Sequence, residues 1–162
     1  MLHYGIESLV GYPQFIPTLA EWHHAQWSYL DVGKSVAQRA ATLRTHGRAT
    51  VPMTLIALSR DTLLGSASLI AHDMDTRMDL SPWLASVYVA PAYRGHGVGS
   101  ALVRQVVARA AALDFPALYL FTPDRAGFYE RLGWHVLEHV RYRGYRQVLM
   151  SISLDRSEGT SR

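Results

Sequence analysis

Residues 87–102 read VYVAPAYRGHGVGSAL, and this stretch decides the fold. An apolar run ends at Pro91, alternate glycines follow at Gly95, Gly97 and Gly99, and an amphipathic helical pattern begins near Val98. Glycine here removes Cβ atoms where the chain turns sharply, so consecutive backbone N–H groups can converge at the positive end of a helix dipole. The pattern predicts an anion site that suits a pyrophosphate; the alternative is a tight structural turn.

The place of this turn in the chain separates it from two other phosphate-binding turns. A Rossmann fingerprint ends the first strand of its fold and has an acidic residue about 20 positions later. Here the turn lies past the middle of the 162 residues, after several other predicted elements. The lysine of a P-loop is absent as well. Neither of these two folds is therefore indicated.

The hydrophobic periodicity on both sides of the turn predicts one α/β domain with a mixed sheet. The predicted strands are 2–9, 53–59, 63–71, 83–89, 117–121, 134–138 and 147–154, and the predicted helices are 13–29, 36–45, 98–113 and a short one through Phe128. The strand, helix, strand order around the turn predicts a parallel pair. We expect the polar segment 72–81 to be a surface loop, residues 1–155 to form the domain, and residues 156–162 to be a flexible polar tail.

The composition is that of a globular protein with a packed core. Hydrophobic residues make up 49% of the chain and charged residues 18%, which argues against disorder. There is no cysteine, so disulfides, thiol catalysis and thiolate metal sites are excluded. A charge of +3 with dispersed arginines does not indicate nucleic acid, and no apolar run approaches the roughly 20 residues that span a bilayer. We expect a cytoplasmic protein with neither nucleic acid nor membrane as a partner.

Two motifs make the chain resemble the GNAT superfamily of N-acetyltransferases. The turn resembles motif A of that superfamily, R/Q-x-x-G-x-G/A, with Arg94, Gly97 and Gly99 at the fixed positions. Residues 118–134, LYLFTPDRAGFYERLGW, resemble motif B, in which a strand precedes a helix that bears FYE-x-LG and an aromatic residue. The resemblance implies the GNAT fold: a mixed, mostly antiparallel sheet with flanking helices and a central parallel strand pair that splays apart.

The resemblance also implies a coenzyme and a reaction. The reaction would be direct transfer of an acetyl group from acetyl-CoA to a primary amine of a small molecule or peptide, without a metal. The backbone of Val87, Tyr88 and Val89 would pair with pantetheine as an added strand does. The pyrophosphate would bind at Arg94, Gly95, His96, Gly97, Val98, Gly99 and Ser100. Transfer of a longer acyl chain and a non-catalytic coenzyme A sensor or interaction module are the alternatives.

The resemblance assigns two of the three groups that the chemistry needs. Tyr129, at the tyrosine of motif B, would protonate the departing sulfur, unless it is only a structural aromatic. A backbone N–H near Val87 to Val89 would stabilise the oxyanion. The general base stays open, because the strand 83–89 lacks the glutamate of many relatives. The candidates are bulk solvent, His72, Asp73, Asp75 and Asp79. The asparagine that often follows the motif B strand is also missing, with Thr122 and Asp124 nearby.

The acceptor site of this family is walled by the first two helices and the loop before the central strand. Here that region offers Trp22, His23, His24, Trp27, Tyr29, Trp83 and the loop aspartates, and we select Trp27, Asp79 and Trp83. The aspartates would attract a cationic amine such as a polyamine, an aminosugar or a peptide N-terminus. Adjacent histidines on a helix point about 100 degrees apart, which argues against a metal pair. Residues 141–146 interleave arginine and tyrosine, as some RNA-binding strands do, but fit a loop and strand start. A homodimer is left open.

Overall fold

A computed structural model describes residues 2–154, and these form a single seven-stranded sheet with four α-helices. The strands are β1 (Gly5–Ser8), β2 (Met53–Ser59), β3 (Thr62–Ile70), β4 (Trp83–Val89), β5 (Ala117–Thr122), β6 (His135–Tyr142) and β7 (Tyr145–Ser153). The helices are α1 (Ile16–Trp27), α2 (Val36–Arg44), α3 (Val98–Ala112) and α4 (Ala126–Arg131). The strand order is β1-β2-β3-β4-β5-β7-β6, in which β4 and β5 are the parallel pair. The predicted α/β mixed sheet is confirmed, while the predicted tail 156–162 lies outside the described residues.

The central strands are buried on both faces, and β2 shows how the helices are divided between them. Leu55 and Ala57 belong to the core that α3 covers, whereas Ile56 and Leu58 pack in a second core under α1 and α2. Alternate side chains of a strand point to opposite faces, so one continuous apolar run serves two layers. The sheet is therefore the middle layer of three.

The first helix differs from its prediction in its start and in its buried face. A 3₁₀ turn occupies Pro13–Phe15, and α1 begins only at Ile16. The apolar spacing within 13–29 predicts a buried stripe that includes Phe15, Leu19, Trp22 and Tyr29. Leu19 is buried as predicted, whereas Phe15 and Trp22 are half-buried and Tyr29 is exposed. The buried positions of α1 are Ile16, Leu19, Ala20 and His23, so a histidine lies in the core. Trp22 and Trp27 are then left half-buried beside the sheet.

Two other boundaries also move. The first strand is shorter than 2–9, because the Ser8 hydroxyl accepts a hydrogen bond from the Val10 amide (3.3 Å) and the chain enters a 3₁₀ turn at Leu9. Strands β6 and β7 are longer than predicted and form a hairpin with a two-residue turn. Arg143 (φ 50°) and Gly144 (φ 87°) both have positive φ, as a type I′ turn requires. The predicted loop at 141–146 is thus mostly strand.

The segment 71–82 is less exposed than the predicted surface loop. Met74 is 1% exposed, and it packs with Leu30, Trp83, Tyr142 and Leu149 in a third apolar cluster. This cluster holds the loop against the β6–β7 hairpin. None of the helices within residues 2–154 combines the length and the hydropathy that a bilayer-spanning segment needs.

Strands β4 and β5 separate soon after they meet. Among the described residues, their register contains one pair, Trp83 with Tyr119, after which the strands diverge. Strand β4 also carries a bulge, because its pairing with β3 shifts between Ser66 and Ser68 and Ser86 adopts φ 53°. An extra residue in one strand bends it and increases its twist. The predicted splay of the parallel pair is present, and it opens a gap in the middle of the sheet.

Gly65 of β3 permits the close approach of the β4 backbone at Tyr88 and Val89, and we expect Gly65→Ala to be strongly destabilising. A Cβ at this position would overlap the Tyr88 carbonyl oxygen and lie 3.1 Å from Val89 Cα. Both obstacles are backbone atoms that no side-chain rotation can move. Overpacking of this kind costs about 1–3 kcal/mol, which urea unfolding would measure. Gly5→Ala is the matched control, because nothing lies within 4 Å of its added Cβ. Equal unfolding midpoints for the two variants would contradict the close approach.

Candidate coenzyme and active site

The gap between β4 and β5 is the floor of a cavity of about 540 Å³. Residues 84–89 of β4 line one side, and residues 120–122 of β5 line the other. The glycine-rich turn follows the carboxyl end of β4, and the loop 71–82 precedes its amino end, so both reach the same cavity through Gly97 and Asp73. The cavity therefore brings together the glycine-rich turn, residues 120–125 and 128–129 of the second motif, and the loop that precedes β4.

The glycine-rich turn presents backbone amides to this cavity. Gly95 (φ 81°) and Gly97 (φ 80°) have the left-handed conformation that favours glycine, and Gly97 is the N-cap of α3. The first intrahelical bond runs from the Ala101 amide to the Gly97 oxygen (3.0 Å), so the amides of Val98, Gly99 and Ser100 point out of the helix end. All three residues line the cavity. Amides and the helix dipole together favour a bound anion here.

Gly99 has a different role from the other two glycines. It is the second residue of α3, and its φ is not positive. A Cβ here would make only ordinary contacts, 3.6 Å from Val89 Cγ2 and 3.8 Å from Phe128 Cζ. The expectation that every glycine of the motif serves the sharp turn is therefore too simple. At Gly99 the missing side chain widens the cavity rather than bending the backbone.

Arg94 and His96, both predicted to bind the coenzyme, are placed differently. The Arg94 Nε donates a hydrogen bond to the Val89 oxygen (2.8 Å), and its guanidinium lies 5.6 Å from the centre of the Tyr88 ring. Arg94 thus braces the turn against β4 while it lines the cavity. His96 is exposed at the apex of the turn, and its side chain is not part of the cavity wall.

The backbone of β4 is open on the side of the cavity. Its other edge is occupied by β3, where Ser66 pairs with Tyr88 and Gly65 with Val89. Because β5 has diverged, the N–H and C=O groups of Val87 and its neighbours on the cavity side face a gap. An unpaired strand edge accepts an extended ligand through main-chain hydrogen bonds. This geometry suits the predicted pairing of Val87, Tyr88 and Val89 with an amide-bearing chain.

Tyr129 lies in the cavity wall on the short helix α4. It is 8% exposed, and its ring makes edge contacts with Phe128 (5.0 Å between centroids) and Trp134 (6.0 Å). These aromatic surroundings exclude water from the ring, and burial raises the pKa of Tyr129 to about 12. The phenol therefore keeps its proton at neutral pH, and in a proton transfer it can serve as the acid but not as the base.

Of the four side chains proposed as a general base, Asp73 is the one that lines the cavity. Asp79 is exposed and holds Arg77 through two hydrogen bonds (3.0 and 3.1 Å), which keep the pKa of Asp79 low. The Asp75 carboxylate accepts a hydrogen bond from Arg143 (2.9 Å), and His72 is exposed. Asp79, which we selected as an acceptor residue, is thus an ion-pair partner on the outer surface.

Asp73 has the titration behaviour that a base needs. It is half-buried, and burial raises the pKa of Asp73 to about 7. The nearby Asp31 raises the pKa further, while Lys34 and Arg143 oppose the rise. A carboxyl that titrates near neutral pH in a cleft is a candidate for proton transfer. The structure thus singles out one of the bases that the sequence left open.

The aromatic acceptor candidates fall in three different places. Trp27 lines the cavity and contacts the Tyr88 ring edge-on, with centroids 6.4 Å apart. Tyr29 lines the cavity too and packs against Tyr145. Trp83 is wrongly placed for an acceptor contact: it is fully buried, and its Nε1 donates to the Leu80 oxygen (2.8 Å). Trp22 stacks on Tyr88 (5.3 Å) and is not part of the cavity wall.

The two adjacent histidines of α1 do not form an acceptor site. His23 is 4% exposed, and its Nε2 lies 2.9 Å from the Ser66 hydroxyl inside the protein. His24 is half-buried and is not part of the cavity wall. Within residues 2–154, no group of three or more histidine, aspartate or glutamate side chains is arranged to hold a metal ion.

The buried His23 should make stability depend on pH. Desolvation lowers the pKa of His23 to about 4 in the folded protein, and Arg39 adds to the effect. The unfolded chain binds the proton of His23 more tightly than the folded protein does. The contribution of the neutral His23 to stability is therefore complete above pH 6.5, and it is lost as the pH falls towards 4. Because the raised pKa of Asp73 acts in the opposite direction over this pH range, the His23 contribution is measured as a difference between two proteins. Relative to His23→Gln, the unchanged protein should lose about 2 kcal/mol of unfolding free energy between pH 7 and pH 5, measured by urea unfolding at both pH values. An equal change in both proteins would contradict the origin of this loss in His23.

Several residues of the cavity carry no signal in the sequence. Asp31, Arg39 and Tyr142 line it, yet they come from the segment after α1, from α2 and from the end of β6. Only the fold brings them together. Thr122 and Asp124, noted where an asparagine was missing, also line the cavity, and the Thr122 hydroxyl accepts a hydrogen bond from the Arg125 amide (3.0 Å).

Solved acetyltransferase structures share this fold. An acetyltransferase from Streptococcus agalactiae has a TM-score of 0.69 at 18% identity, over 94% of this chain and 99% of that chain. An aminoglycoside 6'-N-acetyltransferase complexed with coenzyme A has a TM-score of 0.75 at 15% identity, over 93% and 97%. A putative acetyltransferase from Salmonella typhimurium, solved with its cofactor acetyl-CoA, has a TM-score of 0.71 at 18% identity, over 95% of each chain. At these identities the likeness establishes the fold.

The family follows from the sequence comparison. The model of the acetyltransferase (GNAT) domain matches residues 52–136, which is more than half of the chain. The protein therefore belongs to the GNAT acetyltransferase family, as its two motifs indicated. Among curated protein sequences, no significant match was found.

Proposed function

We propose that this protein transfers an acetyl group from acetyl-CoA to a primary amine. The observation that carries the proposal is a single cavity that joins the amides of Val98, Gly99 and Ser100, the open edge of β4, the Tyr129 phenol and the Asp73 carboxyl. An anion site, an extended-chain site, a proton donor and a proton acceptor are what acyl transfer from a coenzyme A thioester needs.

The coenzyme fits the cavity from the turn inwards. Its pyrophosphate accepts hydrogen bonds from the turn amides, and its pantetheine lies along the free edge of β4 between the splayed strands. The thioester then lies further along β4 from the turn, in the cavity that both Asp73 and Tyr129 line. Two of the solved acetyltransferases with this fold hold coenzyme A or acetyl-CoA, which supports the same ligand here.

The chain's own residues supply the proton transfers. The amine nitrogen attacks the thioester carbonyl, a C–N bond forms, and the oxyanion accepts a hydrogen bond from a backbone N–H near Val87 to Val89. Asp73 takes the proton that the nitrogen loses. The C–S bond breaks, and Tyr129 gives its proton to the sulfur and regains one from solvent. Burial raises the pKa of Tyr129, so the phenol still carries its proton when the sulfur departs.

The direct test is an amine panel assayed for thiol release. Purified protein and acetyl-CoA are mixed with amino acids, diamines, an aminosugar and a short peptide, and the mass of each product is measured. Aminosugars are included because an aminoglycoside acetyltransferase shares the fold. We expect amine-dependent release of coenzyme A and an acetylated amine. Saturable acetyl-CoA binding with no release in any reaction would contradict the proposal and favour a sensor, and activity only with longer acyl thioesters would revise the acyl group.

A further inference from the structure

A buried arginine lies in the wall of the cavity. Arg39 of α2 is 8% exposed, and it lines the same cavity as Tyr129 and Asp73. A guanidinium carries five N–H donors and is always charged, so burial normally brings several acceptors with it. Among residues 2–154, its one side-chain acceptor is Asp31, at a long 3.4 Å from Nη2. The Arg39 Nε is buried and has no hydrogen-bond partner among residues 2–154.

Asp31 does not neutralise Arg39 by itself, because it is shared. Its other carboxylate oxygen accepts a shorter hydrogen bond from Arg143 Nη1 (2.9 Å), and the same Nη1 also donates to the Leu30 oxygen (3.1 Å). Arg143 in turn reaches Asp75 through Nη2 (2.9 Å). The closer ion pairs therefore belong to Arg143. The positive charge of the buried Arg39 is therefore only partly balanced by Asp31. A buried charge without a full set of partners destabilises the protein unless a ligand supplies the missing anion.

The neighbours of Arg39 inside the protein offer no second anion. Burial, with a smaller contribution from the positive charge of Arg39, lowers the pKa of the His23 imidazole to about 4, so His23 is uncharged at neutral pH. Its Nε2 is already engaged with the Ser66 hydroxyl. Asp73 lines the same cavity and is the base of the proposed reaction. Among residues 2–154, the one carboxylate that Arg39 contacts is therefore the shared Asp31.

From this juxtaposition we infer that the acceptor is an amine that also carries a carboxylate, with its carboxylate bound by Arg39 and its nitrogen facing Asp73. The inference rests on the proposed function and names the substrate class of the same site. A planar guanidinium fits a carboxylate through two parallel hydrogen bonds, which a lysine ammonium does not reproduce. A buried arginine and a proton-accepting carboxyl that line the same cavity complement a zwitterionic acceptor such as an amino acid, and the charge of Arg39 disfavours a diamine.

Matched acceptors test the inference on the unchanged protein. An amino acid and its carboxamide differ only in the anionic group, and a diamine of similar length replaces that group with a cation. We expect kcat/KM to favour the amino acid over both by about tenfold or more. Equal values for the amino acid and its carboxamide, or a preference for the diamine, would overturn the inference and leave the proposed function intact. Absence of acetyl-CoA binding would instead remove the proposed function.

Variants separate recognition by Arg39 from a purely structural role. In Arg39→Gln the ratio of kcat/KM between amino acid and carboxamide should fall towards one, and Arg39→Lys, which keeps the charge, should retain part of it. The Kd of acetyl-CoA should stay unchanged in both. Arg44→Gln is the matched control, because Arg44 lies on the same helix and is exposed. A proportional loss of activity on both acceptors, with the ratio kept, would assign Arg39 a structural role and overturn the inference. If Arg39→Gln does not fold, the kcat/KM ratio between the amino acid and its carboxamide is compared between Arg39→Lys and the unchanged protein instead.

Discussion

Tyr129→Phe should lower kcat by about 100-fold or more, because a positioned proton donor contributes that much to bond cleavage. The phenol is the one part of the side chain that the substitution removes, and the ring contacts with Phe128 and Trp134 remain. Binding of acetyl-CoA should change little, since the turn and the edge of β4 are untouched. Steady-state kinetics of thiol release and calorimetric titration of the coenzyme would measure the two quantities separately.

A second tyrosine of the cavity wall provides the control for Tyr129. Tyr93 lies in the 3₁₀ turn Pro91–Tyr93 before the glycine-rich turn, and it lines the cavity as a half-buried ring. Tyr93→Phe should leave kcat close to that of the unchanged protein. Equal and small effects in both variants would remove the proton-donor role from Tyr129 and leave it a structural aromatic.

The second large effect is expected for Asp73→Asn, which should lower kcat/KM by about 100-fold at pH 8 and change the pH profile. With the pKa of Asp73 raised to about 7, the base is active in its deprotonated form above this pH. In the unchanged protein, the pH profile of kcat/KM should contain a limb that rises through about pH 7, in addition to the ionisation of the amine acceptor. The asparagine variant should lack this limb and show only the ionisation of the amine itself.

Asp79→Asn is the matched control for Asp73. Both residues belong to the loop 71–82, but the Asp79 carboxylate is exposed and paired with Arg77 away from the cavity. We expect this variant to keep both the rate and the limb near pH 7. If Asp73→Asn kept the rise in kcat/KM near pH 7, the rise would belong to another group. If kcat/KM at pH 8 were unchanged in Asp73→Asn, bulk solvent would be favoured as the base.

The sequence predicts the parts of the fold that local pattern controls. The glycine-rich turn is predictable because glycine is the residue type that favours the positive φ adopted at Gly95 and Gly97, and the helical pattern of α3 begins directly after it. The runs of β-forming residues at 53–59 and 63–71 predict two strands, which the structure contains as β2 and β3. The boundaries fail where a side chain competes with the backbone, as the Ser8 hydroxyl does at the end of β1. They also fail in α1, whose start at Ile16 turns His23 inward.

The sequence does not predict the features that depend on distant partners. The role of Gly65 becomes visible only when the Tyr88 carbonyl lies against it across the sheet. Three loops bring Asp31, Asp73 and Arg143 together, and no residue spacing in the sequence predicts that these side chains are neighbours. Four loop side chains are equivalent as bases in the sequence, and burial selects Asp73 among them. The acceptor end of the cavity is therefore a product of tertiary structure.

The most direct test of the central claim is a pair of calorimetric titrations on the unchanged protein, one with coenzyme A and one with pantetheine. The claim is that the amides of Val98, Gly99 and Ser100 bind the diphosphate and so align the thioester between β4 and β5. We expect saturable heat with coenzyme A and an affinity about 100-fold lower with pantetheine, which lacks the diphosphate together with the phosphorylated adenosine attached to it. No saturable heat with coenzyme A, or equal affinity for both ligands, would contradict the claim.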